Sequence, residues 1–455
     1  MAATEALPSG RRVRSRPDSA ILPHVLTARV AVALFGLGAA GVVALAITLA
    51  PSPIVVNLPL VAHTAGLLAG YAVTGMILMM ARAPLLEHNI GADRMSRWHG
   101  LLGPWVIVLI VVHGVAAVLA WAEAQRLSIG TSTDQVLMMP GLVAASASTA
   151  LFLAIGAASA RAARRRLRYE TWHAIHLLTY LAIALAFAHE LAGPDLAGHP
   201  VVQIVWSLLY TLSFAILVRY RLIAPVLQAA RHRLRVVAVV EEGPGVVSIV
   251  VSGRALKELA AKPGQFFRWR FLTGGSWYMA HPFSLSAPPT DHHLRLTVKA
   301  VGDGTRLIHE MTPGTIVLAE GPYGAMTERR RTRSGVLLIA GGVGITPMRT
   351  LFETMSRGGG PLTLLYRAST RDDILFRDEL EEIAGRRGAE LVYWTGRSSD
   401  PRSAVTSANL LSRVPDLAQR DVYLCAGPAL SKATTIALLA AGLPKRHLHS
   451  EEFSF

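Results

Sequence analysis

The sequence is poor in cysteine and in charged side chains. Its single cysteine, Cys425, excludes an intrachain disulfide and suits a reducing compartment for the part of the chain that carries it. Charged residues make up only 16% of the 455 residues, with 30 acidic against 45 basic side chains. No basic segment is interleaved with aromatic residues, so we expect no nucleic-acid partner. The mean hydropathy of +0.40 instead indicates a membrane protein.

The apolar residues are concentrated before Arg219, in six stretches long enough to cross a lipid bilayer. Arginines cluster in the connections after the second and fourth stretches, and the other connections carry almost none. The positive-inside rule therefore predicts a multi-pass protein of the cell (plasma) membrane with both termini in the cytoplasm. The six predicted spans are 25–50, 55–81, 98–121, 137–160, 170–189 and 200–220.

Four histidines lie within these stretches, two on the third and two on the fifth. His99 and His113 are 14 residues apart and His176 and His189 are 13 apart, so each pair is separated by about 20 Å along a helix. Imidazole in a bilayer needs a partner, and haem iron accepts two axial nitrogens. Pairing across the two spans predicts an inner haem b between His99 and His176 and an outer one between His113 and His189. The alternative is that these histidines form hydrogen bonds between helices.

The spacing on the fifth stretch conflicts with a straight helix. At about 100° per residue, 14 residues return a side chain to within about 40° of the same face, but 13 rotate it by about 140°. The fifth span must therefore bend, contain a π-bulge, or use His173 in place of His176. We prefer His176 because it lies deeper in the apolar segment.

Beyond Arg233 the periodicity changes to that of short strands. Six of them, with a helical insert at 305–311, predict a small antiparallel barrel, and the later alternation of strand and helix predicts a parallel sheet. The predicted divisions are a basic tail at 1–24, a six-span haem domain at 25–222, a barrel at 223–330 and an α/β domain at 331–455.

A glycine-rich turn, GGVGITP at 341–347, joins a buried strand to a helix. Glycines there let the backbone approach a pyrophosphate, which the helix N-terminus stabilises. The strand before it and the helix after it favour a dinucleotide site over an ordinary tight loop. The candidate nucleotide-binding residues are Gly341, Gly342, Gly344, Thr346 and Pro347.

Several segments resemble the flavin and nicotinamide module of ferredoxin-reductase type. They are HPFSLSAPP at 281–289, VKAVGDGT at 298–305, GPYG at 321–324, the GGVGITP turn and the terminal EEFSF. Joined to six spans with paired histidines, they resemble the NADPH oxidase and ferric reductase superfamily of flavocytochromes b. The resemblance implies a six-helix haem bundle, a β-barrel FAD domain and an α/β nicotinamide domain. Electrons would pass from cytoplasmic NADPH through FAD and two b-type haems to an extracytoplasmic acceptor.

The resemblance also assigns residues around the flavin. His281 would stand near the diphosphate together with Thr305, which begins a short helix, and Phe283 and Ser284 would contact the isoalloxazine, Ser284 near N5. Without the resemblance, the segment HPFSLS would be interpreted as an ordinary strand of a β-barrel. The rest of the implied FAD set is Pro282, Val298, Ala300 and Gly304.

The C-terminal segment supplies further implied residues. Phe455 would cover the flavin face, and Glu451 matches the charged position of the family's tail; with Ser284 they are the candidate catalytic residues. Gly427 and Pro428 match the end of the family's Cys-Gly-Pro motif. Because Ala426 takes the place of that cysteine, we give Cys425 no catalytic role.

Arg367 follows a strand at the point where nucleotide-binding sheets read the adenosine ribose. A guanidinium there can pair with a 2′-phosphate, which favours NADPH; the alternative is a solvated arginine. Arg371 and Arg397 would assist.

The short connections on the outer side leave little protein to cap an outer haem, so a ferric or other metal chelate is the favoured acceptor. The alternatives are reduction of dioxygen to superoxide, a membrane-anchored flavin reductase without haem, and a quinone-linked cytochrome.

Overall fold

The computed structural model describes residues 28–51, 53–139, 141–164, 166–167, 169–193, 196–273, 279–356, 358–397 and 399–452. The basic tail predicted at 1–24 and the aromatic terminus, Phe455, lie outside the described residues.

Six helical segments are long and apolar enough to cross a bilayer, which confirms the multi-pass organisation. They lie close to the predicted spans, but the third and the sixth are longer than predicted, at Arg94–Gln125 and Pro200–His232. The helices of this part are α1 (Ala28–Leu49), α2 (Leu58–Met80), α3 (Pro84–Ile90), α4 (Ala92–Gln125), α5 (Ile129–Met138), α6 (Leu142–Ser159), α7 (Arg161–Arg164), α8 (Tyr169–Leu177), α9 (Thr179–Ala192), α10 (Pro200–Val218) and α11 (Ala224–His232), with a π-helical turn at Arg219–Ile223 between the last two.

Helix α2 lies at the centre of the bundle and contacts α1, α4 and α10. Asn57 caps its first turn by accepting a hydrogen bond of 3.0 Å from the Leu60 N–H. Its buried face is rich in small residues, including Ala65, Ala69 and Gly70. Small side chains let neighbouring helices approach closely where no water is present to drive association.

The fifth span is interrupted at Leu178, between α8 and α9. The Leu178 N–H donates to the carbonyl of Ile175 at 3.1 Å, a tighter turn than that of an α-helix, and Thr179 Oγ1 donates to the carbonyl of His176 at 2.7 Å. A tighter turn rotates the chain by more than 100° per residue. The interruption is therefore a departure from a straight helix, and it rotates the fifth span in the direction that the 13-residue histidine spacing requires.

The next part of the chain forms two antiparallel three-stranded sheets around one core. Their orders are β1-β2-β5 and β4-β3-β6. In the part of the chain that the structure describes, two isolated bridges, Arg235–Ile316 and Leu285–Leu296, join them, and no continuous ladder closes the predicted barrel. The elements are β1 (Arg235–Gly243), β2 (Val246–Ser252), β3 (Phe266–Phe271), β4 (His281–Ser284), β5 (His293–Lys299), α12 (Asp303–His309) and β6 (Val317–Tyr323).

The core between these sheets is filled by alternating large side chains of β3. Phe267, Trp269 and Phe271 are almost fully buried, as the period of two along a strand requires. The Trp269 indole N–H donates to the Phe283 carbonyl at 3.0 Å, which ties β4 to β3. The strand that carries HPFS is thereby held in place.

The C-terminal part is a five-stranded parallel sheet in the order β11-β10-β7-β8-β9, which confirms the predicted α/β architecture of this part. Its central strands β7 and β8 are buried on both faces, which explains their largely apolar sequences. The elements are β7 (Val336–Gly341), α13 (Ile345–Thr354), β8 (Leu362–Ala368), α14 (Arg377–Arg387), β9 (Glu390–Thr395), α15 (Ser407–Leu411), β10 (Asp421–Ala426), α16 (Pro428–Ala440) and β11 (Leu448–Glu452); short 3-10 helices lie at Leu256–Leu259, Glu328–Arg330, Gly342–Gly344, Leu417–Gln419 and Lys445–His447.

Candidate functional site

The structure brings the four intramembrane histidines together as two pairs across α4 and the fifth span. The ring centroids of His99 and His176 are 5.9 Å apart, and those of His113 and His189 are 6.0 Å apart. Among the described residues, no group of three or more histidine, cysteine or acidic side chains could hold a metal ion. Each histidine pair can therefore supply two nitrogen ligands to a metal ion. A metal bound there needs a group, such as a porphyrin, that supplies its remaining ligands.

These separations fit a bis-histidine haem. Two metal–nitrogen bonds of about 2 Å, added to the distance from each nitrogen to its ring centre, require a centroid separation of about 6 Å. A porphyrin supplies the remaining four equatorial ligands, so two imidazoles are sufficient. The residues present thus fit haem iron better than a free metal ion.

Helix α2 fixes the orientation of His113. Its Nδ1 lies 2.8 Å from the Ala62 carbonyl oxygen, which can only accept, so Nδ1 is the donor and Nε2 keeps its lone pair. Gly66 makes this approach possible, because a Cβ there would lie 2.7 Å from the same nitrogen. This contact could not be predicted from the sequence, since it joins residues 51 positions apart.

The flavin and nucleotide segments lie on one open cleft of about 390 Å³. Ser284 Oγ is buried and has no hydrogen-bond partner among the described residues, so it can serve a bound ligand. The cleft is lined by Pro282, Phe283, Ser284, Thr297, Lys299, Val301, Val343 and Thr346. Candidate residues from both nucleotide-binding domains therefore meet at one site.

His281 lies beside the N-terminus of α12. A Cβ on Gly304 would lie 3.0 Å from its Cε1, and its Nε2 is buried without a partner in the described part of the chain. Burial, together with the nearby Arg268 guanidinium, lowers the pKa of His281, so the ring is neutral and can donate a hydrogen bond to a phosphate oxygen. The Thr305 hydroxyl accepts from the Val301 and Gly302 N–H groups at 2.9 and 3.0 Å, so it shapes this turn.

Two residues of the implied FAD set are placed differently from the expectation. Val298 is fully buried in the core between the sheets, because successive strand residues face opposite sides. Its neighbours Thr297 and Lys299 line the cleft, and Ala300 donates its backbone N–H to the Gly245 carbonyl at 2.9 Å. The alternation of inward and outward residues along β5 is the sequence signal that predicts Thr297 and Lys299, in place of Val298, as the residues facing the cleft.

The glycine-rich turn lies where the carboxyl ends of β7, β8 and β10 converge. A Cβ on Gly341 would lie 2.8 Å from that of Ala426, and one on Gly344 would lie 2.1 Å from the Cys425 carbonyl oxygen. Gly342 has a φ of +55°, which favours glycine. The backbone of this turn is therefore packed closely against the sheet. Four further candidate residues lie at the same edge: Thr346 and Pro347 in the first turn of α13, and Gly427 and Pro428, which are exposed at the start of α16.

Arg367 lies at the expected strand end, but its guanidinium is directed into the protein. Nη1 donates to the carbonyls of Ala368 and Trp394 at 2.7 and 3.0 Å, and Nη2 donates to that of Ser403 at 3.0 Å. The side chain is buried, so direct pairing with a 2′-phosphate does not fit this geometry. Arg371 and Arg397 are exposed at the ends of β8 and β9 and are better placed.

Glu451 ties the C-terminal strand to the GPYG segment. Its Oε1 accepts from the backbone N–H groups of Ala325 and Met326 at 3.0 and 3.2 Å. The neighbouring Cys425 is fully buried in the sheet, and burial raises the pKa of its thiol well above the usual value. This agrees with giving Cys425 no catalytic role.

The flavin domain contacts the membrane bundle at the end of α2. The Arg82 guanidinium lies 5.0 Å above the Tyr323 ring, and Gln228 Nε2 donates to the Gly321 carbonyl at 2.9 Å. His99 lies in the first turns of α4, which follows α3 and the Arg82 turn directly. The His99–His176 pair is therefore at the end of the bundle on which the flavin domain rests.

Three sequence families match successive parts of the chain. A ferric reductase like transmembrane component matches residues 65–187, an FAD-binding domain matches 231–327, and an oxidoreductase NAD-binding domain matches 338–435. The order of these three matches agrees with the architecture of the ferric reductase and NADPH oxidase type. It contains an FAD-binding domain and the NAD-binding domain of an oxidoreductase.

Individual relatives match the C-terminal half. The ferredoxin reductase component of 3-ketosteroid-9-alpha-monooxygenase from Mycolicibacterium smegmatis is 30% identical over 232 residues, 48% of this chain and 65% of that protein. Ferredoxin–NADP reductase B from Sorangium cellulosum is 28% identical over 245 residues, 50% of this chain and 99% of that protein. The chain thus spans just under two thirds of the first of these relatives.

Among solved structures, the FAD/NAD-binding domain of nitric oxide dioxygenase from Vibrio cholerae is similar to the same half. It is 25% identical with a TM-score of 0.40, and the match covers 49% of this chain and 99% of that domain.

Proposed function

We propose that this chain is a transmembrane oxidoreductase that carries electrons from NADPH on the cytoplasmic side of the plasma membrane, by way of FAD and two b-type haems, to an acceptor on the other side. The observation that carries this proposal is the pair of histidine pairs, each about 6 Å between ring centroids, on α4 and the fifth span. Haem, when bound, supplies one-electron redox chemistry that no side chain here provides.

At the nucleotide end, the chain's own residues bind and orient. The glycine-rich turn and the N-terminus of α13 would bind a pyrophosphate, and the neutral His281 offers a donor beside the turn of Thr305. Ser284, buried and unpartnered among the described residues, lines the cleft together with Thr346 of the glycine-rich turn. This supports hydride transfer from the nicotinamide to the flavin at this cleft.

The two histidine pairs lie at different depths, since about 20 Å of helix separates His99 from His113. Such a spacing crosses most of a bilayer core about 30 Å thick. The flavin domain contacts the bundle at the end that carries the His99–His176 pair. These three placements together support a path through the membrane.

We propose a ferric or other metal chelate as the acceptor. The connection between the first two spans and the connection after the fifth span are both short. The connection between the third and fourth spans contains one short helix, α5. A bulky chelate needs such an open approach to an outer haem.

The absorbance spectrum of the purified full-length protein tests the proposal. We expect oxidised and reduced bands of bis-histidine haem b together with flavin absorbance, and a variant lacking His99 and His113 as a control should retain the flavin bands alone. Flavin absorbance without haem in the unmodified protein would contradict the proposal and favour a membrane-anchored flavin reductase.

A further inference from the structure

A partly buried ion-pair network joins the FAD domain to the nicotinamide domain. Arg295 of β5 donates to both carboxylate oxygens of Glu379 on α14, with Nη1 to Oε1 at 2.8 Å and Nη2 to Oε2 at 2.9 Å. Arg349 of α13 donates from Nε to the same Oε2 at 2.5 Å. One carboxylate of the nicotinamide domain thus binds an arginine from each domain.

The two arginines also share a carbonyl. Arg295 Nη2 and Arg349 Nη1 donate to the Ser286 carbonyl oxygen at 3.0 and 3.2 Å. Ser286 is two residues beyond Ser284 of the flavin segment, and Arg349 is one helical turn beyond Thr346 of the nucleotide turn. The network is therefore attached to the segments that carry Ser284 and Thr346, both of which line the cleft.

The domains are also joined by backbone hydrogen bonds, such as that from the Gly264 N–H to Thr350 Oγ1 at 3.0 Å and those from Ala325 and Met326 to Glu451, and by apolar packing. Val246 of β2 packs into the core of the nicotinamide domain, and such apolar packing tolerates small rotations. A bidentate pair between arginine and carboxylate fixes both distance and plane, and the Arg295 guanidinium is further held 5.0 Å from the Phe376 ring. Arg349 is buried, so its bonds are shielded from water.

We infer that the Arg295–Glu379–Arg349 network positions the nicotinamide domain against the flavin domain and so sets the geometry of hydride transfer across the cleft. These are positioning residues, because none of them lines the cleft itself. The inference rests on the hydride-transfer half of the proposed function and is independent of the haems. The pKa of Glu379 is lowered: burial would raise it, but the hydrogen bonds and charges of both arginines outweigh burial and keep the carboxylate ionised.

The test is anaerobic stopped-flow reduction of bound FAD by NADPH in the full-length, detergent-solubilised protein. In Glu379→Gln we expect the rate constant of flavin reduction to fall by about 10- to 100-fold, as a small misplacement of reacting groups implies. The dissociation constant for NADPH and the FAD content should change little, and the long-wavelength charge-transfer absorbance between nicotinamide and flavin should weaken. Glu382→Gln is the matched control, since Glu382 lies on the same helix, is 70% exposed and pairs with Arg386.

Arg295→Lys provides a second variant if Glu379→Gln does not accumulate as folded flavoprotein, since it keeps the charge and loses the bidentate geometry. An unchanged rate constant and an unchanged charge-transfer band in a folded variant would overturn the inference. The proposed membrane function can fail separately, because flavin reduction is measured whether or not haem is bound. If NADPH does not reduce the flavin of the unmodified protein, both are overturned.

Discussion

The indole of Trp172 stacks on the imidazole of His176, with ring centroids 5.1 Å apart and planes at 21°. The Trp172 N–H donates to Ser159 Oγ at 3.2 Å, and the Arg164 guanidinium lies 4.5 Å from the indole ring. The end of α6 and the turn after it therefore hold the indole, and the indole holds the ring plane of His176. This packing distinguishes His176 from His173, whose ring centroid lies 6.4 Å from that of Trp172.

Haem content should separate the two candidates on the fifth span. We expect His176→Ala to lower the haem-to-protein ratio from about two to about one, because each haem needs both of its axial nitrogens. His99→Ala should remove the same haem, and His113→Ala or His189→Ala should remove the other. The pyridine haemochrome assay measures the ratio, and His173→Ala is the control. Full haem content in His176→Ala with loss in His173→Ala would contradict the assignment.

Much of this arrangement could be predicted from local sequence. Hydropathy and period-two alternation give the spans and strands, and the spacing of the histidines predicts that the fifth span cannot be a straight helix. No glycine or proline marks Leu178 as the point of interruption. That the Arg367 guanidinium turns inward depends on contacts between distant segments, since it donates to the carbonyls of Trp394 and Ser403. The alternation of residues along β5 predicts that the Val298 side chain faces the core. The resemblance to the family identifies the segment, but it does not say which side chains of that segment face the flavin.

Cofactor specificity should depend on the exposed arginines. We expect Arg371→Ala or Arg397→Ala to raise KM for NADPH several-fold more than KM for NADH, because only NADPH carries the 2′-phosphate. Arg367→Ala should affect both cofactors alike, since its bonds hold the strand end together. Steady-state kinetics with both cofactors and an artificial dye measure these ratios. A selective NADPH defect in Arg367→Ala alone would restore Arg367 as the phosphate-binding residue.

Stability should fall with rising pH because of Glu87. This carboxyl of α3 is buried, and burial raises its pKa to about 7. The nearby charges have smaller effects: Arg82, Arg221 and Arg268 lower the pKa, and Glu451 raises it. Between its usual pKa of 4.5 and about 7, the folded protein keeps a proton that the unfolded chain releases, so this contribution is present below pH 4.5 and lost as pH rises through 7. The loss is on the order of 3 kcal/mol.

Glu87→Gln cannot ionise and should therefore have a higher Tm than the unmodified protein at pH 8 and nearly the same Tm at pH 5. Thermal unfolding of the detergent-solubilised protein at the two pH values measures this difference. Glu382→Gln, at an exposed position, should show no such pH-dependent gain. An equal Tm difference at both pH values would mean that Glu87 is already charged or hydrogen-bonded at low pH.

The path across the membrane can be tested with His113. In sealed vesicles with NADPH on the side of the soluble domains, the unmodified protein should reduce an enclosed acceptor that cannot cross the bilayer. We expect His113→Ala to abolish this transfer, because the imidazole that Gly66 and Ala62 hold in place would no longer complete the outer pair. The same variant should still reduce a soluble dye on the NADPH side. Ser284 and the nucleotide turn line a cleft in the two soluble domains, whereas His113 lies on α4 of the membrane bundle.

Dye reduction in His113→Ala serves as the internal control, because it reports that both nucleotide domains are folded and loaded. Loss of both activities would indicate a folding defect, and His189→Ala, which removes the opposite imidazole of the same pair, would then decide. Undiminished reduction of the enclosed acceptor in folded variants at both positions would mean that electrons leave by a route that bypasses the His113–His189 pair, and the two-haem path would have to be abandoned.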